Sequence, residues 1–180
     1  SGGPFPAVIV YMDIWGVREE LYDIARRIAT VGYAGIVHDA FYRAGKMRFD
    51  DRDGNGKMKS GPKVAPEIRE KAFAVWESLD DAMVAKDTGA IIDYLDADAN
   101  ISTSAMGCIG YCMGGRHVFV AAGHRPGHFR ATASLHGTYL VTDKSDSPHL
   151  LADKFQGEIY CGFGEKDQYA SPEVIAALDK

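Results

Sequence analysis

The chain has 180 residues, 46% hydrophobic and 25% charged, which suits one globular domain with a sizeable core and lies far from disordered or fibrous compositions. A formal net charge of −5 and a pI near 5.6 argue against a nucleic-acid partner, which a basic surface would meet, and the longest apolar runs, such as 118–122, fall far short of the roughly 20 residues that span a bilayer. Three cysteines make a poor disulfide framework and suit a reducing, cytoplasmic setting, and no leader of basic then apolar residues follows Ser1.

The run from Phe5 to Tyr11 is apolar and partly β-branched, the pattern of a buried strand. From Arg18 to Thr30, Leu21, Ile24, Ala25 and Ile28 recur at helical spacing among charges, and Gly32 closes that helix. Residues 33–37 read as a second strand, so the opening is a βαβ unit of the kind that builds parallel sheets. Residues 41–65 are rich in glycine and charge without an apolar period, a long excursion of the sort that is usually functional or disordered. Helical periodicity returns over 66–94, with Gly89 as the expected break between two helices. Strands follow at 105–109, 131–135 and 158–162, with a helix at 114–122. Ser171 as N-cap and Pro172 at the first helical position start a last helix near the end of the chain. The alternation defines an α/β class. A sheet whose first strand opens the sequence, and whose last helix barely begins, reads as an incomplete domain over 1–180.

The chemistry concentrates at Gly110-Tyr111-Cys112-Met113-Gly114-Gly115, where an apolar strand runs through small residues into a helix. This is the form of the nucleophile elbow G-x-S-x-G with sulfur in place of the hydroxyl. The glycines on either side give clearance to a strained turn. The helix start is expected to favour thiolate at Cys112 and to aim the Met113 amide at an oxyanion forming beside the sulfur. The plainer reading of such a cysteine is a core thiol, and that reading is preferred for Cys108 and Cys161. Asp167, just past the last strand, lies at the ligand-gathering edge of a parallel sheet; its plainer reading is a turn-forming surface aspartate. His136, after the fourth strand, is placed to line a pocket at the same edge.

These motifs resemble the dienelactone hydrolase family of α/β-hydrolases. The likeness runs through 11–16, 32–34, Arg69–Phe73, the Gly110–Gly115 elbow and Gly164–Asp167. It implies an α/β-hydrolase fold with a mostly parallel sheet, truncated here at both ends. It also implies a Cys-His-Asp triad that opens small-molecule esters or lactones through an acyl thioester, without cofactor or metal. Carried onto this sequence, Cys112 is the nucleophile, Asp167 the orienter of the histidine, and Asp13 the acceptor of the thiol proton. The amides of Ile14 and Met113 form the oxyanion hole, Arg69 binds a substrate carboxylate, and Trp15, Phe73 and His136 contact substrate. The sequence departs from the family in having Asp13 where the family has glutamate and Phe73 where some members have tyrosine. The family histidine falls in a loop beyond Lys180. A non-catalytic α/β module, or an inactive fragment, is the alternative.

Two further signals weigh less. The run Asp51–Gly56 opens like a calcium loop, D-x-D-x-N-G, but its twelfth position is Pro62 rather than an acid, so a solvated turn is expected. Arg69 has Glu67 and Glu70 as neighbours that could satisfy it locally.

Overall fold

A computed structural model describes residues 2–59 and 61–179. Five strands, β1 (Phe5–Tyr11), β2 (Ala34–His38), β3 (Ile101–Tyr111), β4 (Phe129–Leu135) and β5 (Glu158–Gly162), form one sheet in the order β2-β1-β3-β4-β5. Every pairing between them is parallel. The helices are α1 (Glu19–Thr30), α2 (Pro66–Glu77), α3 (Asp81–Asp96), α4 (Met113–His124) and α5 (Pro172–Leu178). Because β2 lies on one side of β1 and β3 on the other, the chain reverses direction across the sheet at β1. The crevice between the carboxyl ends of β1 and β3 is thus a topological switch point, where open α/β sheets gather ligand-facing groups. The register aligns those ends, with Tyr11 beside Gly110, Tyr111 beside Leu135 and Leu135 beside Gly162.

Strand alternation divides the core in two. Ala7, Ile9 and Tyr11 pack with α3 and α4 residues such as Ile92 and Phe119, while Val10 and Met12 pack with Leu21 and Ala25 of α1 and Ala72 of α2. The helix α1 sits so close to β2 that a Cβ on Gly35 would come within 2.6 Å of the Ala25 carbonyl oxygen. Gly32, at φ +95°, stops α1 as expected.

Two expectations need correction. The break in the second helical stretch lies at Ser78–Asp80, not at Gly89. Asp80 caps α3 by accepting the Met83 N–H at 2.7 Å, a cap that contributes about 1 kcal/mol. Gly89 is buried inside α3, where a Cβ would crowd the Arg125 guanidinium, with its Cζ at 3.2 Å; the glycine provides clearance, not a break. The strand expected at 105–109 begins instead at Ile101, which pairs with Phe5; the polar Ser102-Thr103-Ser104 run disguises its first half. The excursion is anchored through buried Phe41, Phe49 and Val64. Its Asp51 accepts Lys59 Nζ at 2.7 Å and the Ala65 N–H at 2.9 Å, and Asp53 accepts the Asn55 and Lys57 amides, so this run is a turn built on its own carboxylates. No helix among the described residues is long and apolar enough to cross a membrane.

Candidate active site

Cys112 occupies the turn between β3 and α4 at φ 55°, ψ −114°, a left-handed conformation that costs on the order of 1–3 kcal/mol for a non-glycine residue and persists only where the surroundings impose it. Here they do. The Cys112 N–H donates to Leu135 O at 3.0 Å, and its carbonyl accepts the amides of Gly115 at 2.9 Å and Thr138 at 3.2 Å. Ser134 Oγ donates to Gly115 O at 2.9 Å. The loop after β4 that clasps the elbow is itself strained, with His136 at φ 42° and Tyr139 at φ 53°. Arg116 steadies it, forking onto Asp81 at 2.9 and 2.6 Å and donating to the Tyr139 carbonyl.

A cavity of about 560 Å³ opens at the thiol, lined by Cys112, His136, Thr138, Lys166, Asp167 and Tyr169 among others. Three of the residues singled out in the sequence, Cys112, Asp167 and His136, therefore come together. Asp167 also serves its plainer role: one carboxylate oxygen accepts the Tyr169 N–H at 2.9 Å. The Met113 amide favours the charged form of the Cys112 sulfur, and the Ile14 amide donates to no group among the described residues.

Asp13 is half-buried, and both of its oxygens are engaged. Oδ1 accepts the Trp15 N–H at 2.9 Å and Arg18 at 2.7 Å, and Oδ2 accepts Arg18 at 2.6 Å. Asp13, Ile14 and Met113 do not line the cavity, and neither do Trp15, Arg69 and Phe73. Trp15 packs on the α1–α2 side of the core, and Arg69 is half-buried without an ion pair to Glu67 or Glu70. Phe73 reaches the cavity through a row of rings: edge-on to Trp76 at 5.8 Å, Trp76 stacked on Tyr139 at 5.9 Å, and Tyr139 edge-on to Tyr169 at 5.0 Å. This aromatic wall was not legible in the sequence, because its members are scattered over three segments with no shared spacing.

The surroundings of Cys112 disfavour the expected thiolate. Burial pushes the Cys112 thiol up to about 11; the Met113 amide opposes this, while the carboxylates of Asp13 and Asp167 add to it. The partial charge at the start of α4 is outweighed by enclosure and two negative neighbours. Alkylation of Cys112 by iodoacetamide, followed by peptide mapping, should therefore accelerate about tenfold per pH unit from 7 towards 11. A plateau near neutrality would contradict the assignment. Cys108 is a core thiol whose Sγ donates to Thr132 Oγ1 at 3.6 Å, Cys161 packs against the same cluster, and neither lines the cavity.

The remaining histidines lie elsewhere. His38 is buried 3.7 Å from Asp87, which Arg43 clasps at 2.8 and 2.6 Å and Tyr42 contacts at 3.1 Å. His117 is buried beside Tyr11, its Nδ1 without a partner among the described residues. No group of three or more His, Cys, Asp or Glu residues among those described is disposed to hold a metal ion.

A parallel sheet with a strained cysteine at its switch point has the architecture of an α/β-hydrolase. A "Putative Dienelactone Hydrolase" from Klebsiella pneumoniae shares the fold, with a TM-score of 0.73 at 24% identity over 99% of this chain and 69% of that one. The chain belongs to the dienelactone hydrolase family, whose sequence profile matches residues 1–180. It is 28% identical to a "Putative carboxymethylenebutenolidase" of Methylorubrum extorquens, over 93% of this chain and 53% of that protein. It is 26% identical to a "Probable 2-oxo-3-(5-oxofuran-2-ylidene)propanoate lactonase" of Bradyrhizobium, over 99% of this chain and 66% of that protein. The chain thus spans between half and two thirds of the length of these curated relatives.

Proposed function

We propose that this chain carries the nucleophile of a hydrolase for carboxylic esters or lactones. The observation that supports this best is Cys112, held in a forbidding backbone conformation at the start of α4 and lining a cavity it shares with Asp167. In this reading the raised thiol needs a base at the moment of attack. Asp13 accepts its proton, and the sulfur adds to the acyl carbon. The resulting oxyanion takes hydrogen bonds from the amides of Ile14 and Met113. Collapse expels the alcohol, which takes up a proton, and leaves an acyl thioester that water hydrolyses. In this reading Asp167 orients a triad histidine expected beyond Lys180. His136 lines the acyl or alcohol side of the cavity, and Phe73 bears on it through the row of rings that ends at Tyr169.

Rapid mixing with p-nitrophenyl acetate, quenching and peptide mass mapping test this directly. An acetyl group is expected on the peptide that contains Cys112, and none in Cys112→Ala. Absence of the adduct, or equal turnover by Cys112→Ala, would overturn the reading and leave a binding module.

A further inference from the structure

The turn that carries Asp13 is joined to the excursion by an unbroken alternation of charge. Arg18 forks onto Asp13 and also donates to Gly16 O at 3.1 Å. Its Nε lies 3.5 Å from Glu20 Oε2, and both of these atoms are buried with no other partner. The second oxygen of Glu20 meets Arg52 at 2.7 Å, Arg52 meets Asp50 at 2.8 Å, and Asp50 meets Arg48 at 2.7 Å. The backbone makes the same connection. The Phe49 N–H donates to Trp15 O at 2.8 Å, and Gly16 forms an antiparallel bridge with Arg48. The contact is so close that a Cβ on Gly16 would lie 3.2 Å from the Arg48 Cα and overlap the Met47 carbonyl.

An arginine fork on a carboxylate fixes direction as well as charge, and a buried ion pair contributes specificity of geometry more dependably than stability. Arg18 is 8% exposed and so has little room to choose another partner. We propose that Arg18 is a positioning residue for Asp13, and that the excursion acts on the nucleophile at one remove: Asp50, Arg52 and Glu20 fix Arg18, and Arg18 fixes the carboxylate on the turn that follows the end of β1, against which the elbow is packed. The inference rests on Cys112 being the reactive thiol, but its test reads the thiol itself and needs no turnover.

Asp167, Lys166 and Tyr169 from the turn after β5 and His136 from the turn after β4 line the cavity at Cys112; Asp13 does not line it, but it follows directly on Tyr11 and Met12, whose carbonyls press on Gly114 of the elbow, and its charge acts on the thiol through space. Among these described groups Asp13 is the one tied to the excursion. The measurement is the pH profile of Cys112 alkylation in Arg18→Gln, Arg18→Lys, Arg52→Gln and Asp13→Asn, each melted first to establish that it is folded. Arg18→Gln leaves the Asp13 charge uncompensated beside the thiol, so alkylation at pH 8 should fall about threefold and the profile move to higher pH. Arg18→Lys, which keeps the charge without the fork, should recover most of that loss. Arg52→Gln frees Glu20 to draw Arg18 away from Asp13 and should give a smaller shift in the same direction. Asp13→Asn should speed alkylation and abolish the effect of Arg52→Gln in the double variant. Folded Arg18→Gln and Arg52→Gln proteins with the original profile, or an Arg52→Gln shift that survives in Asp13→Asn, would overturn the proposal. Should Arg18→Gln fail to fold, the Arg52 and Asp13 pair decides alone. Loss of the acetyl adduct with these shifts intact would instead count against the hydrolase reading.

Discussion

Gly110→Ala is expected to destabilise the protein by about 3 kcal/mol, towards the upper end of overpacking costs, and to disorganise the elbow in whatever folded population remains. The new Cβ would overlap the Gly114 carbonyl and lie 2.9 Å from the Gly115 nitrogen, and all of these are backbone atoms at the start of α4. They have nowhere to go, since a Cβ on Gly114 would itself come within 2.7 Å of Met12 O, so the whole first turn of α4 is already pressed against the end of β1. Strand and helix would have to part. Urea denaturation followed by far-UV circular dichroism measures the loss, and Gly54→Ala is the control. Nothing lies within 4 Å of a Cβ at Gly54, so that change should stay within about 0.5 kcal/mol. Equal midpoints for the two variants would show that the elbow is looser than described.

The second large effect is on acid stability. Burial holds His117 neutral, lowering its pKa to about 3, with His38 and Arg116 acting in the same direction. In the unfolded chain it titrates near 6.5. Below pH 6.5 the unfolded state therefore binds a proton that the folded state refuses, and stability falls by about 1.4 kcal/mol per pH unit until the folded value is approached. Asp87 adds a later limb. Burial alone would raise its carboxyl, but contacts with His38, Arg43 and Tyr42 overcome this and hold it well below the usual carboxylate range. Its contribution is complete above about pH 4 and is lost as pH falls through the depressed folded value. Urea midpoints measured between pH 7 and 4 should thus decline in wild type, while His117→Gln should be nearly flat from pH 6.5 to 4.5. An unchanged slope in His117→Gln would assign the proton uptake to another group.

What the sequence made legible was short-range. The βαβ opening, the elbow and the Ser171 cap are each written in neighbouring residues, and the structure has them where their spacing put them. Misplaced features had a competing local signal: Gly89 looked like a helix break because clearance for Arg125, which is far away in the chain, leaves the same mark as a turn. Nothing in the order of residues says that Asp13 pairs with Arg18, since Glu19 and Glu20 stand closer to that arginine. The state of the Cys112 thiol was misjudged for a similar reason. A motif records the helix start, whereas enclosure and the approach of two carboxylates are products of the folded chain.

The clasp on Cys112 comes from Leu135 and Thr138, residues that no signature written around the cysteine would include. Moving the Gly110–Gly115 hexapeptide into another parallel sheet would therefore carry over the thiol without its alignment. The smallest portable unit is the elbow together with the left-handed loop after β4, and a designer who grafts one without the other inherits the strain and loses what restrains it.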